Sequence, residues 1–145
     1  MNHRWMIAGL MLLAGSGLMG ARECGKVVWA ETNKDTYALT EMGTVTLHND
    51  GDTPVYLSGC AAYTHEKKEN GAWVDKGPDK ICVWEGLVQP LHPGEKASHP
   101  LAPKGPGTWR ARFDVAYGCT EGKPMSQAGC TSFETVYTPE YDVVP

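Results

Sequence analysis

From Trp109 to Tyr117 the apolar residues Trp109, Ala111, Phe113, Val115 and Tyr117 alternate with Arg110, Arg112, Asp114 and Ala116. Alternation of this kind is the period of a β-strand with one face in a core and the other in water. A helix would repeat its apolar stripe every three to four residues. At about 3.3 Å per residue such a run reaches ~30 Å, long enough to cross a whole sandwich. The remaining chain has to supply strands on either side of it.

Those strands are legible as shorter runs. Gly43–Asn49 alternates, with Val45 and Leu47 on one face and Thr44, Thr46 and His48 on the other. Lys26–Glu31, Thr36–Leu39, Thr53–Ser58, Val83–Glu85, Lys96–Leu101, Thr135–Tyr137 and Tyr141–Val144 are further β-prone runs, separated by Gly, Pro, Asn and Asp. Pro100 and Pro103 place the Lys96–Leu101 run at a sheet edge. No stretch beyond the N-terminal segment carries a helical period. The expected fold is therefore all-β: one antiparallel sandwich of about seven to nine strands over residues 25–145.

Cys60 to Cys82 reads as a β-hairpin reversing at Asn70-Gly71, a pair that supplies the positive φ angles of a tight turn. A fold line near Asn70 puts Cys60 opposite Lys80, so Cys82 comes within bridging reach after a short detour through Gly77-Pro78-Asp79. The charged cluster His65–Glu69 is then expected as solvated surface near the tip. With Cys24 set aside, Cys60, Cys82, Cys119 and Cys130 allow three connectivities. Cys60–Cys82 with Cys119–Cys130 is the favoured one. Each bridge would stabilise by roughly 3 kcal/mol in the chain-entropy picture.

The N-terminus explains why disulfides are expected at all. Residues 1–21 carry Arg4, an uncharged apolar run from Trp5 to Leu18 and small residues after it, the layout of a secretory signal peptide. The run is short for a membrane span of ~20 residues. An exported chain, periplasmic or extracellular, is expected, with anchoring by an uncleaved signal as the alternative; no later segment is apolar enough to span. Without the signal, 12 basic and 17 acidic residues leave a charge of −5, and no basic footprint for nucleic acid.

Val45-Thr46-Leu47-His48-Asn49, Pro54-Val55-Tyr56, Tyr63 with Glu66-Lys67 and Asn70-Gly71-Ala72-Trp73, Leu91 with Pro93-Gly94-Glu95, and Gly107-Thr108-Trp109-Arg110 follow one another in order. This succession resembles small bacterial immunoglobulin-like domains, including the group related to a bacterial intracellular proteinase inhibitor. The resemblance implies an immunoglobulin-like sandwich and a corner residue at Trp109, where the pattern usually has tyrosine.

Catalytic signatures are scarce. There is no Gly-x-Ser-x-Gly elbow, and Glu85, between Trp84 and Gly86, is the one acid with an aromatic neighbour on a plausible ledge. No cofactor is expected. His92 and His99 flank a turn and form the basis of an alternative reading as a periplasmic metal-handling protein. Trp73 and Trp84 are candidates for a partner-contact platform, with one of them expected in the core against the Cys60–Cys82 bridge. Arg110 and Arg112 are expected to pair with acids across a strand. The stapled loop Cys119–Cys130 would present Met125-Ser126 as a rigid contact element. The functional expectation is thus an exported, non-enzymatic binding or accessory domain that contacts another protein of the envelope or the extracellular space, with protease inhibition as its sharpest form.

Overall fold

The alternating run becomes the longest strand of the molecule. In the computed structural model, which describes residues 27–145, it spans Gly107–Tyr117 and is designated β9 in the order β1 Val28–Thr32, β2 Thr36–Ala38, β3 Gly43–Asn49, β4 Val55–Leu57, β5 Thr64–Glu69, β6 Ala72–Pro78, β7 Gln89–Leu91, β8 Lys96–Leu101, β9, β10 Ser132–Tyr137 and β11 Tyr141–Val144. The signal segment 1–21, the start of the domain at residue 25 and Cys24 lie outside the described residues.

β9 is long enough to take two partners on each side. Along one side β10 pairs with Arg112–Tyr117 and β11 with Gly107–Trp109; along the other β5 pairs with Trp109–Arg112 and β4 with Tyr117 and Ala116. Between β10 and β11 the ladder is broken at Thr138-Pro139, because proline has no N–H to give. Thr138 repairs the break: its N–H donates to Ala111 O (3.0 Å) and its Oγ1 accepts from Ala111 N (3.0 Å). The other sheet has the order β1-β3-β8, with the proline-bearing β8 at its edge as expected.

These two sheets form a disulfide-stapled, immunoglobulin-like β-sandwich. All pairings are antiparallel except β2 with β11, where the N-terminal strand leaves the first sheet and joins the second. Splitting of the neighbours of β9 and of the first strand raises the number of strands among the described residues to eleven. Val83–Glu85 is not a strand but part of a loop.

The main core lies between the sheets and contains Val45, Leu47, Tyr63, Trp109, Ala111, Phe113, Val115 and Tyr141, all buried. Tryptophan enters this core through Trp109, not through Trp73 or Trp84. Its Nε1 donates to Gly105 O at 2.9 Å, so the indole closes the corner through a donor alone. Asn49, fully buried, plays a similar tying role: its amide donates to Thr53 O (2.9 Å) and Leu91 O (2.8 Å).

The charged cluster on β5 departs most from expectation. His65 and Glu66 are 2% and 6% exposed, since β5 is an interior strand between β6 and β9. His65 turns inward against the edges of Tyr63 and Trp109. Glu66 turns outward onto β9, where its carboxylate accepts from Arg110 (2.7 Å) and Arg112 (2.9 Å). The Arg110 guanidinium also lies over the rings of Trp73 (4.3 Å) and Tyr137 (3.8 Å). Two buried-side acceptor bonds to one carboxylate offset the cost of removing it from water.

Candidate interaction site

The hairpin β5–β6 turns at Asn70 (φ 51°) and Gly71 (φ 80°), the left-handed pair its sequence demands. Pairing runs Glu69↔Ala72 through Glu66↔Asp75, then slips by one residue to Thr64↔Pro78. Gly77, at φ 88°, accommodates the extra residue. The slip advances the register so that continuation of the two chains brings Cys82, and not Lys80, to Cys60. The bridge forms with a Cα–Cα distance of 6.1 Å.

Beyond this bridge lies a loop, Lys80–Leu87, with its apolar residues outside. Ile81 and Val83 are essentially fully exposed (95% and 105%), Trp84 is 59% exposed, and Leu87 also faces water. The ends of the loop are firmly held. On the N-terminal side Asp79 N donates to Tyr63 O (2.9 Å), and the Asp79 carboxylate accepts from Ala62 N (3.1 Å). On the C-terminal side Ser58 Oγ donates to Glu85 O (3.1 Å), and the Glu85 carboxylate accepts from the N–H of Ser126 (3.3 Å) and from its hydroxyl. Gly86 (φ 74°) packs backbone to backbone on Gly59, and a Cβ on Gly59 would stand 2.0 Å from Leu87 O. Any side chain at Gly59 would displace the loop.

The second disulfide, Cys119–Cys130, does something different with its loop. Residues Met125–Gln127 form a single 3₁₀ turn that folds back over the outer face of the larger sheet. Met125 is half-buried against a small cluster of Tyr56, Val88, Ala116, Cys119 and Ala128, and Lys123 O accepts from Val88 N (2.9 Å). Met125 is therefore a packing residue, and Ser126, though exposed, holds Glu85 at the base of the apolar loop. The two disulfide loops stand side by side and brace one another.

Of the four partner-contact candidates, Trp84 and Ser126 are exposed, and Ser126 is committed to Glu85. Trp73 is half-buried beneath Arg110 and does not stack on Trp84. Ile81 and Val83 were passed over in the sequence. Their exposure follows from the disulfide, which denies Val83–Glu85 a place in either sheet, and the flanking Gly77-Pro78 and Gly86 were the available signal.

The two histidines of the metal alternative do not converge. His92 sits on the exposed turn before β8, whereas His99 lies on β8, packed near Tyr63 and Phe113. His99 lines a cleft of about 630 Å³ between the β7 and β8 edges, its Nε2 has no hydrogen-bond partner, and burial keeps it below the ordinary imidazole range. Among the described residues no three His, Cys, Asp or Glu side chains are grouped to hold a metal ion. No helix among them is long and apolar enough to cross a membrane.

No family model matches the chain, and no curated protein matches it significantly. Among solved structures it is similar to the ASH/PapD-like domain of human CEP192 (PapD-like domain 7), at 13% identity over 97% of each chain and a TM-score of 0.33. The likeness to the proteinase-inhibitor group thus rests on the turn residues of the sequence alone, while the immunoglobulin-like architecture rests on the strand order and register described above.

Proposed function

We propose that this protein is an exported, non-catalytic binding domain that docks another envelope or extracellular protein through the Lys80–Leu87 loop. The observation that carries this reading is the exposure of Ile81, Val83 and Trp84 on a segment fixed at both ends. Burying a valine or isoleucine side chain contributes about 1.5–3 kcal/mol, so an apolar tip of this kind gains most when a partner covers it. A tip already held in place also loses little conformational entropy on docking. The rim is polar, with Asp79, Lys80 and Glu85, which matches the anatomy of a protein-binding hot spot better than that of a lipid anchor.

Export is supported by the signal-like segment 1–21 and by two disulfides in so small a domain. Protease inhibition through Met125-Ser126 loses its basis, because the methionine is packed into the scaffold. Metal handling through His92 and His99 loses its basis for want of convergence. The test is a photo-crosslinking amino acid at position 83, with position 46 on the far sheet as control, in the cells that produce the protein. A discrete crosslinked partner from 83 but not from 46, lost when Ile81 and Trp84 are changed to serine, is expected. Equal crosslinking from both positions rejects the loop as the docking element.

A further inference from the structure

β10 is an exposed sheet edge without the protection that other edges of the sandwich carry. β7 holds Pro90, and β8 holds Lys96 and Pro100. The register of β6 slips, and Lys104 donates to its carbonyls at Lys76 (3.2 Å) and Pro78 (3.0 Å). Prolines, lysines and irregularities of this kind keep a sheet edge from pairing with another chain. Ser132–Tyr137 has no proline, lysine or slip. It pairs only with β9, and every residue but Val136 is exposed, Phe133 to 69% and Tyr137 to 42%.

Register fixes what this edge offers. Thr138 N donates to Ala111 O, and the alternation of an antiparallel ladder then turns the backbone of Val136 and Glu134 toward β9 as well. The N–H and C=O groups of Phe133, Thr135 and Tyr137 therefore point along the free edge. Their side chains share the outer face of the sheet with Ala116, Asp114 and Arg112, which they stand opposite. The Arg110 guanidinium lies over the Tyr137 ring at 3.8 Å and holds it on that face.

We propose that a second copy of this chain occupies the edge, β10 against β10, antiparallel about a two-fold axis at Thr135. Phe133 of each copy then faces Tyr137 of the other, and the two Thr135 residues face each other, with N–H and C=O groups exchanged within each pair. The strand is self-complementary in this register. Aromatic side chains meet on the outer face at both ends of the contact. On the inner face each Glu134 stands opposite a Val136, so no like charges are opposed. Sliding to the next hydrogen-bonding register in one direction sets Glu134 against Glu134. Sliding in the other sets Phe133 against Pro139, which has no N–H to give. The inner-face side chains of the incoming strand lie over a groove of about 370 Å³ between β10 and β1, lined by Val28, Ala30 and Val136.

The contact is one strand wide, so a weak dimer is expected, forming over about 10 μM to 1 mM protein. Sedimentation equilibrium of the purified protein, disulfides intact and any free thiol alkylated, measures it. Thr135→Glu and Thr135→Lys each set like charges against one another on the axis and should each weaken association about tenfold or more. An equimolar mixture of the two variants brings opposite charges together and should restore the dimer. Phe133→Ser, which leaves the charge alone, should weaken it too. Position 135 is exposed, and thermal melts check that each variant is folded. A wild-type protein that stays monomeric to about 1 mM overturns the inference. So do charge variants that dimerise like the wild type, or a mixture that does not recover. If dimerisation is lost instead through Ile81→Ser and Trp84→Ser, the copies meet at the apolar loop and the assignment to β10 falls.

Discussion

His65 makes the fold sensitive to acid in a way that can be worked out in advance. Its imidazole is 2% exposed on β5, edge-on to Tyr63 (5.1 Å) and Trp109 (6.3 Å), opposite Ala111 on β9. Burial, reinforced by the positive charge of Lys104, lowers its pKa from 6.5 to about 4. The unfolded chain takes up a proton as pH falls through 6.5, while the folded chain refuses it until about 4. Stability contributed by the neutral ring is therefore complete above 6.5 and declines between 6.5 and 4. Relative to pH 8, the loss at pH 5 is about 2 kcal/mol and the full gap about 3 kcal/mol. His99, also held low by burial, acts in the same direction, so the wild-type curve alone does not isolate His65. His65→Leu, nearly the same volume, removes the term. Urea unfolding at intervals from pH 8 to 4.5 should show the two proteins converging by about 2 kcal/mol by pH 5. Parallel curves over that range would refute the assignment of a neutral, buried His65.

Two further perturbations probe the frame. Glu66→Ala leaves Arg110 and Arg112 facing each other on β9 without their shared acceptor, and should destabilise by about 3 kcal/mol in urea unfolding; Glu66→Gln, which keeps one acceptor oxygen, should cost less. Paired serine substitutions should cost about 3.4 kcal/mol at Cys60/Cys82 and about 2.8 kcal/mol at Cys119/Cys130, following the closed-loop lengths of 23 and 12 residues given by separations of 22 and 11. Thiol titration of the unfolded, unreduced protein checks that four cysteines are bridged, with at most one reactive thiol expected.

Where the sequence was readable, one local rule dominated. β9 and β3 could be read because alternation reports a two-faced strand without reference to any neighbour, and the Asn70-Gly71 reversal because only left-handed backbone fits there. The errors arose where position depended on a partner strand. His65–Glu69 has the composition of a solvated tip, yet β5 lies between β6 and β9, so two of its members are enclosed. The signal was present on β9: two arginines two residues apart need an acceptor on the adjacent strand, and Glu66 is placed to be that acceptor. The tryptophans misled for a related reason. Trp73 and Trp84 flank the hairpin base in sequence, but the core accepts the aromatic that alternates in register with Ala111 and Phe113, which is Trp109.

The candidate site follows from the contrast between the two disulfides. Both close a loop at the same end of the sandwich, so a staple alone does not create a contact surface. The Cys119–Cys130 loop has an apolar cluster beneath it, formed by Tyr56, Val88 and Ala116 on the outer sheet face, and Met125 turns down onto it. Beneath the Leu87 end of the Lys80–Leu87 loop lies backbone. Gly59 and Gly86 meet there with no room for a side chain between them. That contact, together with the bridge that holds Val83–Glu85 out of both sheets, leaves Ile81 and Val83 turned to solvent. Enlarging Gly59 would push Gly86 and Leu87 off the scaffold and with them strain the neighbouring anchor on Glu85, whereas the Asp79 anchor, made to Ala62 and Tyr63, is independent of that contact.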